Sequence, residues 1–140
     1  MNSIKYDLFL NVTSYFIMCS TMFIYSQIDY HNIIKHAVIS EAVLIERFKA
    51  SYIYSYRTMS EEYEGSIPIT KNVSIGDTIM IAYDQWKNKK SRAIRLRKGK
   101  ATISTEYNKY VIVNNKTKDE KKEIADKLMT ELKERYHVNE

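Results

Sequence analysis

The sequence contains few of the residues that form covalent cross-links, metal sites or flexible joints. Of its 140 residues, one is cysteine, one is proline and three are glycine. A single cysteine excludes an internal disulfide and a cysteine-based zinc site. The scarcity of glycine and proline excludes a flexible linker, and the length is enough for one domain but short for two.

Catalytic signatures are also missing. The sequence has no Walker loop, no dinucleotide-binding glycine motif, no HExxH and no Gly-x-Ser-x-Gly. His31 and His36 are five residues apart, so they do not share a helical face as a zinc pair would. We therefore predict a protein that is not an enzyme, without catalytic residues, cofactor or metal site. The competing hypothesis is an unrecognised catalytic site that uses Asp77, Asp84 and Glu64.

Charge is absent from residues 8–28, a stretch of twenty-one residues between Asp7 and Asp29. A helix of about twenty apolar residues crosses the roughly 30 Å hydrocarbon layer of a bilayer. The stretch therefore predicts a single-pass transmembrane helix. The alternatives are a buried core helix, which normally shows a polar face, and a signal peptide, which needs a positive end and a small-residue cleavage site.

The charges around this stretch indicate an orientation and a division of the chain. Lys5 lies on one side, and Lys35 and Arg47 follow on the other, so the positive-inside rule slightly favours the cytosolic side for the larger part. We predict a membrane-spanning helix with a short tail over residues 1–34. A β domain would follow over residues 35–115 and a C-terminal helix over residues 116–140.

Alternation of side chains predicts strands in the middle of the chain. Residues 51–59 place Tyr52, Tyr54 and Tyr56 on one face, and the β-branched residues before them predict a hairpin that turns at residues 47–49. The tyrosine row fits a sheet face that packs on its neighbours better than a ligand platform. Residues 78–84 show the clearest alternation.

Shorter strands and turns complete the predicted β domain. Residues 60–65 carry three glutamates and predict a solvated turn, and Pro68 marks the strand that follows as an edge strand. Residues 92–97 predict a strand, Gly99 predicts a turn that leads into residues 101–105, and residues 107–113 predict a further strand.

The C-terminal segment predicts an amphipathic helix. Thr117 and Glu120 form a capping box, and apolar residues then recur at spacings of three and four. The predicted fold class is α+β, with an N-terminal transmembrane helix, a small antiparallel β sheet or barrel, and a C-terminal amphipathic helix packed on it.

Two short motifs carry a resemblance to known proteins. They are Tyr63-Glu-Gly65 and the run from Gly76-Asp77 through Ile79 and Ile81 to Tyr83-Asp84. In this order after an uncharged stretch, they resemble small membrane-anchored bacterial proteins of unknown function with a Gly-Asp…Tyr-Asp β domain. The resemblance implies an architecture with a turn at the first motif, and it implies no activity.

The most polarised segment is residues 87–100, in which eight of fourteen residues are basic and none is acidic, in a chain of net charge +5. It has three interpretations: a solvated surface, a patch that holds the protein against anionic lipid, or a nucleic-acid surface on which an aromatic ring stacks. The candidate residues for binding an anionic surface are Lys87, Lys89, Lys90, Arg92, Arg95, Arg97, Lys98, Lys100 and Trp86.

These observations together predict a non-enzymatic, single-pass, membrane-anchored accessory or interaction protein of a membrane or envelope complex. Its partners would be the lipid bilayer and a protein of that complex. The alternative is a small basic β protein that binds nucleic acid or another anionic surface.

Overall fold

A computed structural model describes residues 30–59 and 61–138 of the chain. Residues 30–35 are helical, and a C-terminal helix spans Lys118–Arg135. Between them the strands are β1 (Ala37–Phe48), β2 (Ser51–Arg57), β3 (Glu62–Pro68), β4 (Thr78–Asp84), β5 (Ser91–Ala93), β6 (Arg95–Arg97) and β7 (Lys100–Thr102).

The strands form two antiparallel sheets. The larger has five strands in the order β3-β2-β1-β4-β5, and the smaller is the hairpin of β6 and β7. The predicted hairpin of the first two strands is confirmed, with Phe48 opposite Ser51 across the turn. The predicted edge strand is also confirmed, since β3 with Pro68 lies at one end of the order.

The five-stranded sheet is curled into a half-barrel, and a bulge in β1 contributes to the curl. Leu44 pairs with Tyr54 and Glu46 pairs with Ile53, so Ile45 is an extra residue that bends the strand. The curl brings the two edge strands, β3 and β5, towards each other without forming a ladder between them.

Strand β4 is buried on both faces and separates two hydrophobic cores. Its residues Ile79, Ile81 and Tyr83 face the concave core inside the curl, as the alternation predicted. Met80 and Ala82 face the convex core on the other side of the sheet. The first core is rich in tyrosine, and the second is aliphatic and covered by the helical segments.

The C-terminal helix closes the convex core as predicted. Thr117 is its N-cap, whose hydroxyl accepts a hydrogen bond from the Glu120 amide at 3.2 Å. Leu128 and Leu132 are buried against Ile33 and Ile34 of the helical residues 30–35. The predicted capping box and the predicted packing of the helix on the sheet are both present.

Side chains of this helix also bond the free edge of β7. Glu131 accepts the Ala101 amide at 3.2 Å, and Arg135 donates to the Ala101 carbonyl at 2.7 Å. The hydroxyl of Tyr136 accepts the Ile103 amide at 3.2 Å. These bonds replace the neighbouring strand that the edge lacks.

Several local predictions are wrong. Strand β3 begins at Glu62, so the predicted turn at residues 60–65 and the implied turn at Tyr63-Glu-Gly65 are largely strand. Residues 107–113 form isolated bridges at Tyr110 and Ile112 instead of a strand. The predicted strand over residues 92–97 is divided at Ile94, because Ala93 pairs with β4 whereas Arg95 pairs with β7.

The predicted fold class is wrong in its first element. No helix within residues 30–59 and 61–138 is long and apolar enough to cross a membrane, and residues 8–28 lie outside the described residues. That prediction rested on length and on missing charge, although seven of those twenty-one side chains are polar. The structure supports an α+β fold of a curled, open antiparallel sheet and a C-terminal helix.

Candidate anion-binding site

The fold divides the basic segment into two exposed groups. Lys87, Lys89 and Lys90 are exposed in the loop between β4 and β5. The strands β5 and β6 then carry the chain away to the β6–β7 turn, where a second group is exposed. We call the first group, with Trp86, the basic loop. The second, the basic turn, consists of Arg97, Lys98 and Lys100.

A carboxylate at the end of β4 shapes the basic loop. Oδ1 of Asp84 accepts the amides of Trp86 at 2.8 Å and Lys87 at 3.3 Å, and the Lys90 amide donates to the Lys87 carbonyl at 2.8 Å. This is a turn held by an aspartate side chain. The Trp86 side chain remains 77 % exposed, with its ring edge-to-face against His36 at 5.4 Å.

The basic turn is a two-residue hairpin loop. Lys98 and Gly99 have φ angles of 51° and 79°, which is the pattern of a type I′ turn and confirms the turn predicted at Gly99. The guanidinium of Arg97 lies 5.5 Å from the ring centroid of Tyr107. An exposed contact of this kind contributes about 0.5–1 kcal/mol.

Arg95 differs from the other predicted site residues, because it is only 3 % exposed. Its guanidinium lies 5.1 Å from the ring centroid of Tyr110. One terminal nitrogen donates to the Ala93 carbonyl at 3.2 Å, and the other reaches the Tyr110 hydroxyl at 3.4 Å. Nε has no hydrogen-bond partner among the described residues.

A cavity lies between the two edge strands that the curl brings together. We call it the edge cavity; its volume is about 470 Å³. One wall is β3, with Glu64, Gly65 and Ser66, and the other is the segment that leads from the basic loop through β5 to Arg95. The basic residues in that second wall are Lys89, Lys90, Arg92 and Arg95.

Tyr54 spans the floor of the edge cavity. Its hydroxyl is 2.6 Å from Oγ of Ser91 on β5, and its ring covers Gly65, where an added Cβ would lie 2.2 Å from Cζ of the ring. Burial raises the pKa of Tyr54 to about 12, although the hydrogen bond to Ser91 and the charges of Arg92 and Arg95 act in the opposite direction. The phenol is therefore neutral at physiological pH.

The other tyrosines pack against one another inside the curl. The ring of Tyr56 lies 5.6 Å from that of Tyr83 and 5.9 Å from that of Tyr63, and its hydroxyl donates to the Asn88 carbonyl. The expectation that the tyrosine row packs within the sheet is confirmed for Tyr54 and Tyr56, which are buried.

The acidic residues considered for catalysis are separated by the fold. Asp77 holds a turn by accepting from the Ser74 amide at 2.8 Å and from Nδ2 of Asn114 at 2.8 Å, and Asp84 shapes the basic loop. Glu64 lies on β3, in the wall of the edge cavity, apart from both aspartates. Among residues 30–59 and 61–138, no three metal-ligating side chains are grouped together.

The sequence identified the cations of this site but missed the residues that form its floor. Tyr54, Gly65 and Ser91 come from three strands that are distant in the sequence. One signal was present in the sequence, namely a glycine in one strand and a tyrosine in the neighbouring strand. An aromatic ring often covers a glycine in that arrangement.

Comparison with models of protein families, with curated proteins and with solved structures gives no match for this chain. The resemblance to small membrane-anchored bacterial proteins therefore stays a prediction. Its two aspartates nevertheless have defined roles in this fold, since Asp77 and Asp84 each organise a turn at one end of β4.

Proposed function

We propose that this is a non-enzymatic accessory protein that binds an anionic membrane surface through its basic loop. The observation that carries the proposal is the exposure of Trp86 directly beside Lys87, Lys89 and Lys90. The proposed membrane contact is peripheral, made by a loop of the folded domain. It does not involve a spanning helix.

The chemistry of the basic loop suits the interface between a bilayer and water. Tryptophan is enriched at this level because its ring is apolar while its N–H remains hydrated. Each lysine near an anionic surface contributes about 1 kcal/mol at physiological ionic strength. A loop with three such cations and one indole supports reversible binding.

Trp86 is the only tryptophan in the sequence, and it reports directly on the proposed contact. We expect its fluorescence to shift to shorter wavelength when the full chain is mixed with vesicles that contain phosphatidylserine, and to shift much less with neutral vesicles. Added salt reverses the shift, because it screens the lysines.

Charge reversal in the loop tests the same proposal. The double variant Lys87→Glu, Lys89→Glu should bind the anionic vesicles at least about tenfold more weakly. The matched control is Lys122→Glu, Lys127→Glu, which makes the same charge change on the exposed face of the C-terminal helix. Equal weakening by both pairs would show that net charge alone controls binding and would contradict the proposal.

Nucleic acid is the second candidate partner, and the exposed indole ring of Trp86 is the observation that favours it. A base stacked on this ring would quench its fluorescence without a shift to shorter wavelength. If single-stranded DNA quenches Trp86 at concentrations where anionic vesicles have no effect, the second candidate replaces the first.

A further inference from the structure

Arg95 is a buried charge without a counter-ion in the described structure. Among residues 30–59 and 61–138, no carboxylate forms an ion pair with it, and its Nε–H has no acceptor. The Tyr110 ring and one carbonyl oxygen compensate only part of the charge. An ionised group that is buried and incompletely paired destabilises the fold.

Arg95 lies where a bound anion could compensate its charge. Arg95 is part of the wall of the edge cavity, together with Arg92 and with two lysines of the basic loop. Tyr54 and Ser91 line the same cavity, and their hydroxyls are 2.6 Å apart. Two guanidinium groups and this pair of hydroxyls are therefore all part of the lining of one cavity.

From this arrangement we infer that the edge cavity is a binding site for a small phosphomonoester whose phosphate lies against Arg92 and Arg95. Guanidinium groups are suited to phosphate because their donors match its oxygens in pairs. The Tyr54 and Ser91 hydroxyls, which are bonded to each other, supply one further neutral donor beside them. A volume of about 470 Å³ lies within the usual range for small-molecule sites and leaves room for the organic part.

The opposite wall indicates what the organic part contains. Glu64 and Ser66 are part of the β3 wall of the cavity, opposite the wall that contains the arginines. A carboxylate there repels a second anionic group and accepts hydrogen bonds from hydroxyls. The ligand class is therefore a phosphate ester of a compound that carries hydroxyl groups, either free or as a lipid headgroup.

Lys89 and Lys90 belong both to the basic loop and to the cavity wall, but the two proposals can be tested separately. Trp86 is not part of the cavity wall, and a soluble ligand tests the cavity without any membrane. Failure of one proposal leaves the other unaffected.

The test is calorimetric titration of the full chain with inorganic phosphate, glucose 6-phosphate and glucose. We expect glucose 6-phosphate to bind at least about tenfold more tightly than either phosphate or glucose, because only the ester reaches both walls. Vesicles with and without a phosphoinositide separate the two sources. If binding to the phosphoinositide vesicles is tighter than to the soluble ester and is lost in Arg95→Met, the ligand is a lipid headgroup; if the soluble ester binds more tightly, the ligand is a free ester.

Arg95→Met separates a binding role from a structural one. An apolar side chain of similar length removes the buried charge, so the unliganded variant should melt at the same temperature as the original protein or higher, while losing the ester affinity. Arg92→Gln should weaken ester binding at least about tenfold if Arg95→Met does not fold. Lys98→Gln, the matched loss of one charge at the basic turn, should bind the ester normally.

Two results would overturn the inference. The first is that neither glucose 6-phosphate at millimolar concentration nor the phosphoinositide of the vesicles binds in a way that depends on Arg95. The second is that Arg95→Met and Arg92→Gln bind the ester as tightly as Lys98→Gln does.

Discussion

The two faces of β4 support cores that are closed in different ways. On the convex face, Met80 and Ala82 pack under a helix that contributes Leu128 and Leu132, and no tyrosine belongs to the fully buried set. On the concave face, four of the eleven buried residues are tyrosines, and the hydroxyls of Tyr54 and Tyr56 form hydrogen bonds across the curl. Strand β4 therefore lies between two different cores. A helix covers the convex core, whereas tyrosine side chains that reach across the curl cover the concave core.

The difference explains where a ligand can enter. On the convex side, aliphatic side chains of the sheet pack against a helix that lies over them. The concave core ends at two edge strands that do not pair. The Tyr54 side chain reaches from β2 to Ser91 on β5 and forms the floor of the edge cavity.

Removing a side chain from the helix-covered core should have the largest effect on stability. Leu132 is fully buried, so Leu132→Ala should lower the free energy of unfolding by about 2–5 kcal/mol. Urea unfolding followed by circular dichroism measures it. Ile75→Ala, at a site that is 52 % exposed, is the control and should change stability by less than about 0.5 kcal/mol. A similar loss in both variants would contradict the packing described for the convex core.

Filling the space under the Tyr54 ring should have the next largest effect, and it acts on the concave core alone. Gly65→Ala places a Cβ against the ring, and we expect a loss of about 1–3 kcal/mol from overpacking. Removing the ring in the double variant Gly65→Ala, Tyr54→Ala should relieve the steric overlap between the added Cβ and the ring. The cycle of single and double variants therefore shows a coupling between the two sites; strictly additive losses would rule out the contact.

The smallest expected effect concerns the tyrosine hydroxyl and pH. Tyr54→Phe removes the hydrogen bond to Ser91 and should lower the free energy of unfolding by about 1 kcal/mol at neutral pH. Because burial raises the pKa of Tyr54 to about 12, above its unfolded value of about 10, the folded state favours the neutral phenol. This contribution is complete below pH 10 and is lost as the pH rises towards 12.

Unfolding at a series of alkaline pH values measures this dependence. The original protein should lose stability more steeply above about pH 10 than Tyr54→Phe does. Tyr52→Phe, at a half-buried tyrosine on the same strand, serves as the control and should retain the steep dependence. A Tyr54→Phe profile identical to that of the original protein would show that this phenol is not buried.

Local patterns in the sequence predict those parts of the fold that depend on neighbouring residues. The alternation of Ile79, Ile81 and Tyr83 predicts a strand because a period of two is a property of the strand itself. The capping box at Thr117 and the hairpin turn at Gly99 are local for the same reason. These predictions agree with the structure.

Features that require distant residues could not be predicted in this way. Arg95 alternates with Ile94 and is one of the candidate residues for binding an anionic surface. Its side chain is buried, and the Tyr110 ring covers the guanidinium. The edge cavity needs β3 and β5 to approach each other, although 22 residues lie between them in the sequence. A contact between such distant segments leaves no pattern in a short stretch of sequence.

The hydrogen bonds from the C-terminal helix to β7 have a consequence for biosynthesis. The partners of Ala101 and Ile103 come from Glu131, Arg135 and Tyr136, about thirty residues further along. During translation the chain emerges from its N-terminal side, so this strand leaves the ribosome before the side chains that complete it have been made. Until then its unpaired amides are open to pairing with another nascent chain.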